Sequence, residues 1–203
     1  MDYESIIEMP IIGEIISNAI DEGNKWGETF TTDSSWLDNR DRMANHAIYE
    51  STLWSVGNGI GNGFLGLAGI PTDIAITLYS QVKLASALFT IYGIDVTSYY
   101  TQPLVLAAAA EVSISELAKN KLKTRTAKKA IQNSLMKVSS KTFKKINKAI
   151  GIKLISKASK KSLLNVAKII PFVGAVFNGT VNGVMMNACG HSVIAFIKEY
   201  QRY

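Results

Sequence analysis

The chain has 203 residues, of which 47% are hydrophobic and 19% charged, and a formal charge of +6. That apolar content excludes a disordered chain, the four prolines exclude a collagen-like one, and the length suits a single domain. One cysteine and two histidines exclude a disulfide framework and a thiolate zinc site, and leave little for His-based catalysis. Residues 1–28 predict one helix or two, with Ile6, Ile7, Ile11, Ile12, Ile15, Ile16 and Ile20 on the apolar face. Pro10 interrupts or kinks that pattern, and the acidic start lacks the basic region of a secretory signal. A polar joint follows over 29–38, where Asp33, Ser34 and Ser35 suit a helix start before Trp36.

Helical character over 39–60 gives way to a run of glycines, Gly57, Gly59, Gly61, Gly63, Gly66 and Gly69. They match no phosphate-loop pattern, and their four-residue spacings allow helices to approach closely. The clearest helix covers 72–92, with Ile74, Leu78, Val82, Ala85 and Phe89 at helical spacing, Asp73 in its first turn and Gly93 as its C-cap. Pro103 opens an alanine-rich helix that continues to about residue 117. The 119–161 stretch is helical and amphipathic, with Lys137, Lys141, Lys144, Lys145 and Lys148 forming its anion-facing side. From Ile169 to Ile197 there are 29 residues without a formal charge. Asn178, Asn182, Asn187 and His191 favour a buried helical hairpin there over helices embedded in a membrane. No sustained alternation marks a strand, so the fold class is all-α: one helical domain with two glycine-rich, tightly packed helical blocks.

The average charge hides a division. Residues 1–60 hold 11 acidic and three basic residues, a net of 3 − 11 = −8. Residues 117–198 hold no acidic residue and 17 Lys or Arg, 15 of them within 119–161. Within 119–161, Arg125 is the only arginine and Phe143 the only aromatic residue. Base-edge recognition and stacking need both residue types, so nucleic acid is disfavoured and an anionic membrane surface or a membrane protein is the expected partner.

The two glycine-rich blocks, 61–95 (GNGFLGLAGIPTDIAITLYSQVKLASALFTIYGID) and 168–197 (KIIPFVGAVFNGTVNGVMMNACGHSVIAFI), resemble the two hallmark regions of the EcsC family. The matching positions are Gly63, Gly66, Pro71, Asp73, Gln81, Tyr92, Gly93 and Asp95 in the first block. In the second they are Pro171, Gly174, Ala175, Asn182 and Phe196. The resemblance implies an all-helical bacterial protein of poorly defined biochemical function, and it supplies no catalytic set. It divides the chain into an acidic N-terminal helical extension, 1–40, and an EcsC-like domain, 41–203.

Asp73 and Asp95 are the carboxylates of the first block, and two carboxylates can serve a hydrolase or a metal-dependent enzyme. Helix capping accounts for each more simply. His191 is a weak functional candidate, since nothing local assembles a triad around it. Asn58, Gly59, Asn62 and Gly63 in one block, and Gly174, Asn178, Gly179, Asn182 and Gly183 in the other, are expected to form a tightly packed polar core. No catalytic, cofactor or metal residue is assigned. The expected role is a non-enzymatic interaction protein, cytoplasmic and peripheral to the inner membrane face. An alternative is an inhibitory or defence-related scaffold whose acidic N-terminal region masks the basic surface.

Overall fold

The computed structural model describes residues 10–57, 72–98, 101–112 and 181–202. Among these residues there are five α-helices and one 3-10 turn, and no strand. They are α1 (Pro10–Thr32), α2 (Arg40–Gly57), α3 (Thr72–Ile91), α4 (Gln102–Ala109) and α5 (Val181–Arg202), with the turn over Ser34–Trp36. The Lys-rich face, and residues 61–71 and 168–180 of the two glycine-rich blocks, lie outside the described residues.

Helix α1 is continuous from Pro10, its first described residue, to Thr32. The helix also runs four residues past its expected end. In these last turns the Thr29 hydroxyl donates to the Trp26 carbonyl at 2.7 Å, and the Thr31 and Thr32 hydroxyls to the Glu28 carbonyl at 3.1 and 2.8 Å, so the threonine side chains fold back onto the helix. Asp33 then caps the short turn, accepting from the Ser35 N–H at 2.9 Å. Leu37 and Asp38 both take the left-handed conformation, so the next helix cannot begin at Trp36. It starts at Arg40 instead, where the Asn39 side chain accepts from the Arg42 N–H at 3.0 Å.

Helix α3 is the hub. It touches every other described helix, and Leu78, Val82, Leu84, Ala85, Leu88, Phe89 and Ile91 are fully buried around its circumference. A helix that buries apolar residues around most of its circumference needs a central position, because an outward face of that kind would carry exposed apolar area. Helix α1 lies along it, burying Ile12, Ile15, Ala19, Ile20 and Phe30 into the same cluster. The N-terminal helix is thus part of the common core, and each large aliphatic side chain it buries contributes about 1.5–3 kcal/mol.

Helix α4 stops earlier than its alanines suggest. The Glu111 N–H donates to the Ala108 carbonyl at 3.0 Å, the Val112 N–H reaches back to Ala107 at 2.9 Å, and Glu111 has φ 55°. This is a Schellman closure with glutamate in the place usually taken by glycine. Helix α5 seals the bundle against α2, α3 and α4 with Met186, Cys189, Val193, Phe196, Ile197 and Tyr200. A Cβ on Gly190 would run into the Ile48 side chain, so the glycine sets how closely α5 meets α2. No helix among the described residues is long and apolar enough to cross a membrane.

Candidate functional site

Two polar seams organise the described bundle. The first runs between α1 and α3. Gly23 and Gly27 present bare backbone to α3, where an added Cβ would meet Ser86 Cβ at 2.6 Å and Thr90 Cβ at 2.7 Å respectively. That closeness lets the Ser86 hydroxyl donate to the Ile20 carbonyl at 2.7 Å, and the Thr90 hydroxyl to Asn24 Oδ1 at 2.8 Å. One turn further along, Glu22 accepts from the Tyr79 hydroxyl and from Lys83 Nζ, the latter at 2.8 Å.

The second seam is the corner after α3. Gly93, at φ +78°, closes the helix, with its own N–H on the Thr90 carbonyl and the Ile94 N–H on Phe89, both at 2.9 Å. The Tyr92 carbonyl accepts from Arg40 Nη1 at 2.7 Å and from Gln201 Nε2 at 3.3 Å. The Tyr92 hydroxyl donates to Asp41, which also pairs with Lys198 at 2.9 Å. One tyrosine therefore ties α3 to the start of α2 and the end of α5. Asp95 accepts from the Thr97 hydroxyl at 2.6 Å and from the Thr97 N–H at 2.9 Å, a local turn that fixes the chain leaving the corner.

The two seams repeat one arrangement of tyrosine, carboxylate and lysine. Burial, reinforced by the adjacent carboxylate, holds the Tyr79 and Tyr92 hydroxyls well above the usual tyrosine range. Glu22 is held below its usual value by Lys83 and Tyr79, and Asp41 by Tyr92 and Lys198. At neutral pH the tyrosines are fixed donors and the carboxylates fixed acceptors, which suits cross-linking of helices rather than proton transfer. The depressed carboxylates stabilise the fold above their ordinary values of 4.5 and 3.8, and that contribution is lost as pH falls through their native values. The raised tyrosines contribute below their ordinary value of 10.0 and lose that contribution as pH rises beyond it toward their native values. Melting temperature is thus expected to stay level between about pH 5 and about pH 9 and to fall on either side. Replacing both tyrosines by phenylalanine should make the alkaline fall shallower, and an unchanged alkaline fall in circular-dichroism melts would refute the assignment.

Two further features border these seams. A pocket of about 220 Å³ between α4 and α5 has Val112 and Phe196 on its apolar side and Ser192, Glu111 and Glu199 at its polar edge. On α3, Gln81 is fully buried, and neither its Oε1 nor its Nε2 has a hydrogen-bond partner among the described residues.

Of the residues singled out from sequence, Asp95 serves the turn just described and His191 is exposed on α5. Gly183 is buried in α5, whereas Asn182 and Asp73 lie in the first turns of α5 and α3, where side chains are not described. Asn58, Gly59, Asn62, Gly63, Gly174, Asn178 and Gly179, and Lys137, Lys141, Lys144, Lys145 and Lys148, lie outside the described residues. No group of three or more His, Cys, Asp or Glu side chains suited to a metal ion occurs among the described residues. Sequence reasoning missed Gly23 and Gly27, although the signal was present: Ala19, Gly23 and Gly27 repeat at four-residue intervals. It also missed the pairing of Tyr79 with Glu22 and of Tyr92 with Asp41, which join positions 57 and 51 residues apart.

Comparison with curated proteins and with solved structures returned no match. The family comparison did, and it takes in α1 as well as both glycine-rich blocks. With residues 12–199 matching the EcsC protein family, the chain belongs to that family.

Proposed function

We propose that this EcsC protein is a non-enzymatic interaction module that meets an anionic membrane surface through its Lys-rich stretch, 119–161, from the cytoplasmic side. The observation that carries this reading is the division of charge: 15 Lys or Arg within 119–161, with no acidic residue anywhere in 117–198. Lysine is a compact point charge without base-reading geometry, and near an anionic surface each contributes about 1 kcal/mol. Several presented together hold a folded domain reversibly, with strong salt dependence.

Sedimentation of the full chain with neutral and with anionic lipid vesicles tests the proposal. Binding is expected to the anionic vesicles only, weakening as salt rises. Replacing Lys137, Lys141, Lys144, Lys145 and Lys148 by glutamine should weaken it by about a thousandfold. Equal, negligible sedimentation with both vesicles would overturn the lipid reading.

The outer side of α1 favours a second reading, in which the acidic region masks the basic one. Glu14, Asp21 and Glu28 are exposed there. Because α1 supplies core residues, masking would be the work of these carboxylates rather than of a detachable extension. Changing the three to glutamine or asparagine should then strengthen vesicle binding, and unchanged binding would refute the masking.

A further inference from the structure

Helix α2 is apolar on two sides. Met43, Ala44, Ala47, Ile48 and Thr52 are buried, which accounts for its inner side. Tyr49 and Leu53 on its outer side are nevertheless 47% and 43% exposed, and Trp54, near the end of the helix, is 69% exposed. Leu37 is the one other large hydrophobic residue exposed among the described residues, at 83%. The turn bearing it is held to the same helix by Trp36, whose ring lies 5.1 Å from that of His46 and 5.3 Å from the Arg42 guanidinium. Arg42, His46, Tyr49 and Leu53 follow one another at four, three and four residues, so they form one stripe along the helix.

We propose that this stripe, with Trp54 beside it, is an apolar wedge that seats in the interfacial layer of an anionic bilayer. The inference rests on the membrane-surface reading above and adds the second contact that lysines alone do not provide. Electrostatic adsorption is reversible and sensitive to salt, and buried apolar area is what makes it hold. Tryptophan and tyrosine suit the headgroup level, since each has an apolar body and a polar tip that stays hydrated there. Arg42 adds a cation to the stripe. Glu50, beside the stripe, pairs with His46 Nε2 at 3.1 Å, and Asp38 follows Leu37 in the turn.

Area decides against a second copy of the chain as the occupant. The exposed parts of four side chains amount to roughly a few hundred Å², whereas a stable protein partner covers about 800 Å² on each side.

The test is fluorescence of the full chain on anionic vesicles containing brominated lipid, which quenches only tryptophan that reaches the acyl boundary. The wild-type protein should be quenched, and Trp54→Phe should lose most of that quenching, because Trp26 and Trp36 are packed against the core. The double variant Leu53→Ser with Trp54→Ser should melt like the wild type, because both positions face outward. Its vesicle affinity should fall by roughly ten- to a hundredfold. Binding to anionic vesicles without quenching of Trp54 overturns the wedge and leaves the lysine contact standing. Absence of binding to any vesicle overturns both. A concentration-dependent dimer that disappears in the double variant, with vesicle binding intact, assigns the stripe to a second copy and also overturns the wedge.

Discussion

Gly23→Ala is expected to destabilise the protein by about 3 kcal/mol or more, although it adds one methyl group to a helix. The new Cβ would fall within the contact distance of the Lys83 carbonyl oxygen and 2.6 Å from Ser86 Cβ. Neither atom can rotate away, since one is backbone and the other is fixed by it. Relief requires α1 to move off α3, and that stretches the Ser86–Ile20 bond and the contacts of Glu22 with Tyr79 and Lys83 together. Gly27→Ala meets the Ala87 carbonyl oxygen and Thr90 Cβ, both at 2.7 Å, and should cost a comparable amount. Gly13 supplies the control. Nothing lies within 4 Å of its added Cβ, so Gly13→Ala should stabilise by about 0.5–1 kcal/mol through helix propensity. For a domain of this size 3 kcal/mol corresponds to roughly 6–12 °C in melting temperature. Thermal melts showing Gly23→Ala within 0.5 kcal/mol of wild type would refute the close crossing of the two helices.

The crossing also shows where sequence reasoning stops. Periodicity identifies α3 well, because its apolar residues fill a helical pattern and Gly93 supplies the left-handed C-cap that such a pattern needs. The all-helical class follows from the same logic. In α1 the isoleucines dominate the pattern, and Gly23 and Gly27 read as weak points of a helix rather than as its contact surface. Their meaning depends on what lies opposite, and that is Ser86, Ala87 and Thr90, some 60 residues away. The same holds for the polar seams. Glu22 reads as a solvated helix residue and Asp41 as a first-turn carboxylate, while their tyrosine partners read as aromatic residues of the core. Propensity misleads in α4, where alanine favours continuation but Val112 packs against the core and draws the chain into a turn at Glu111. The Lys-rich side was legible as charge alone, since a helical wheel assigns a face but not what it meets.

Gln81→Met is expected to stabilise the protein by about 1–3 kcal/mol, an unusual direction for a fully buried position. Gln81 is 0% exposed, and Leu78, Val82, Leu84 and Ala85 around it on α3 are buried as completely. An amide in such surroundings gives up its water, and among the described residues neither Oε1 nor Nε2 gains a partner in return. Methionine has nearly the same volume and the flexibility to fit the same space, so the change removes the desolvation cost without leaving a cavity. Gln81→Glu separates polarity from volume: a carboxylate there should destabilise the fold at neutral pH and do so less in mild acid, where burial keeps it protonated. A loss of more than about 1 kcal/mol in Gln81→Met would mean that the amide is paired in the folded chain. The stability result gains meaning beside vesicle binding. A chain that keeps a costly buried amide has broken a packing rule, and such breaks concentrate where function requires them. If Gln81→Met melts higher and loses vesicle binding, the amide serves the interaction; if it melts higher and binds as before, the amide belongs to the architecture of α3 alone.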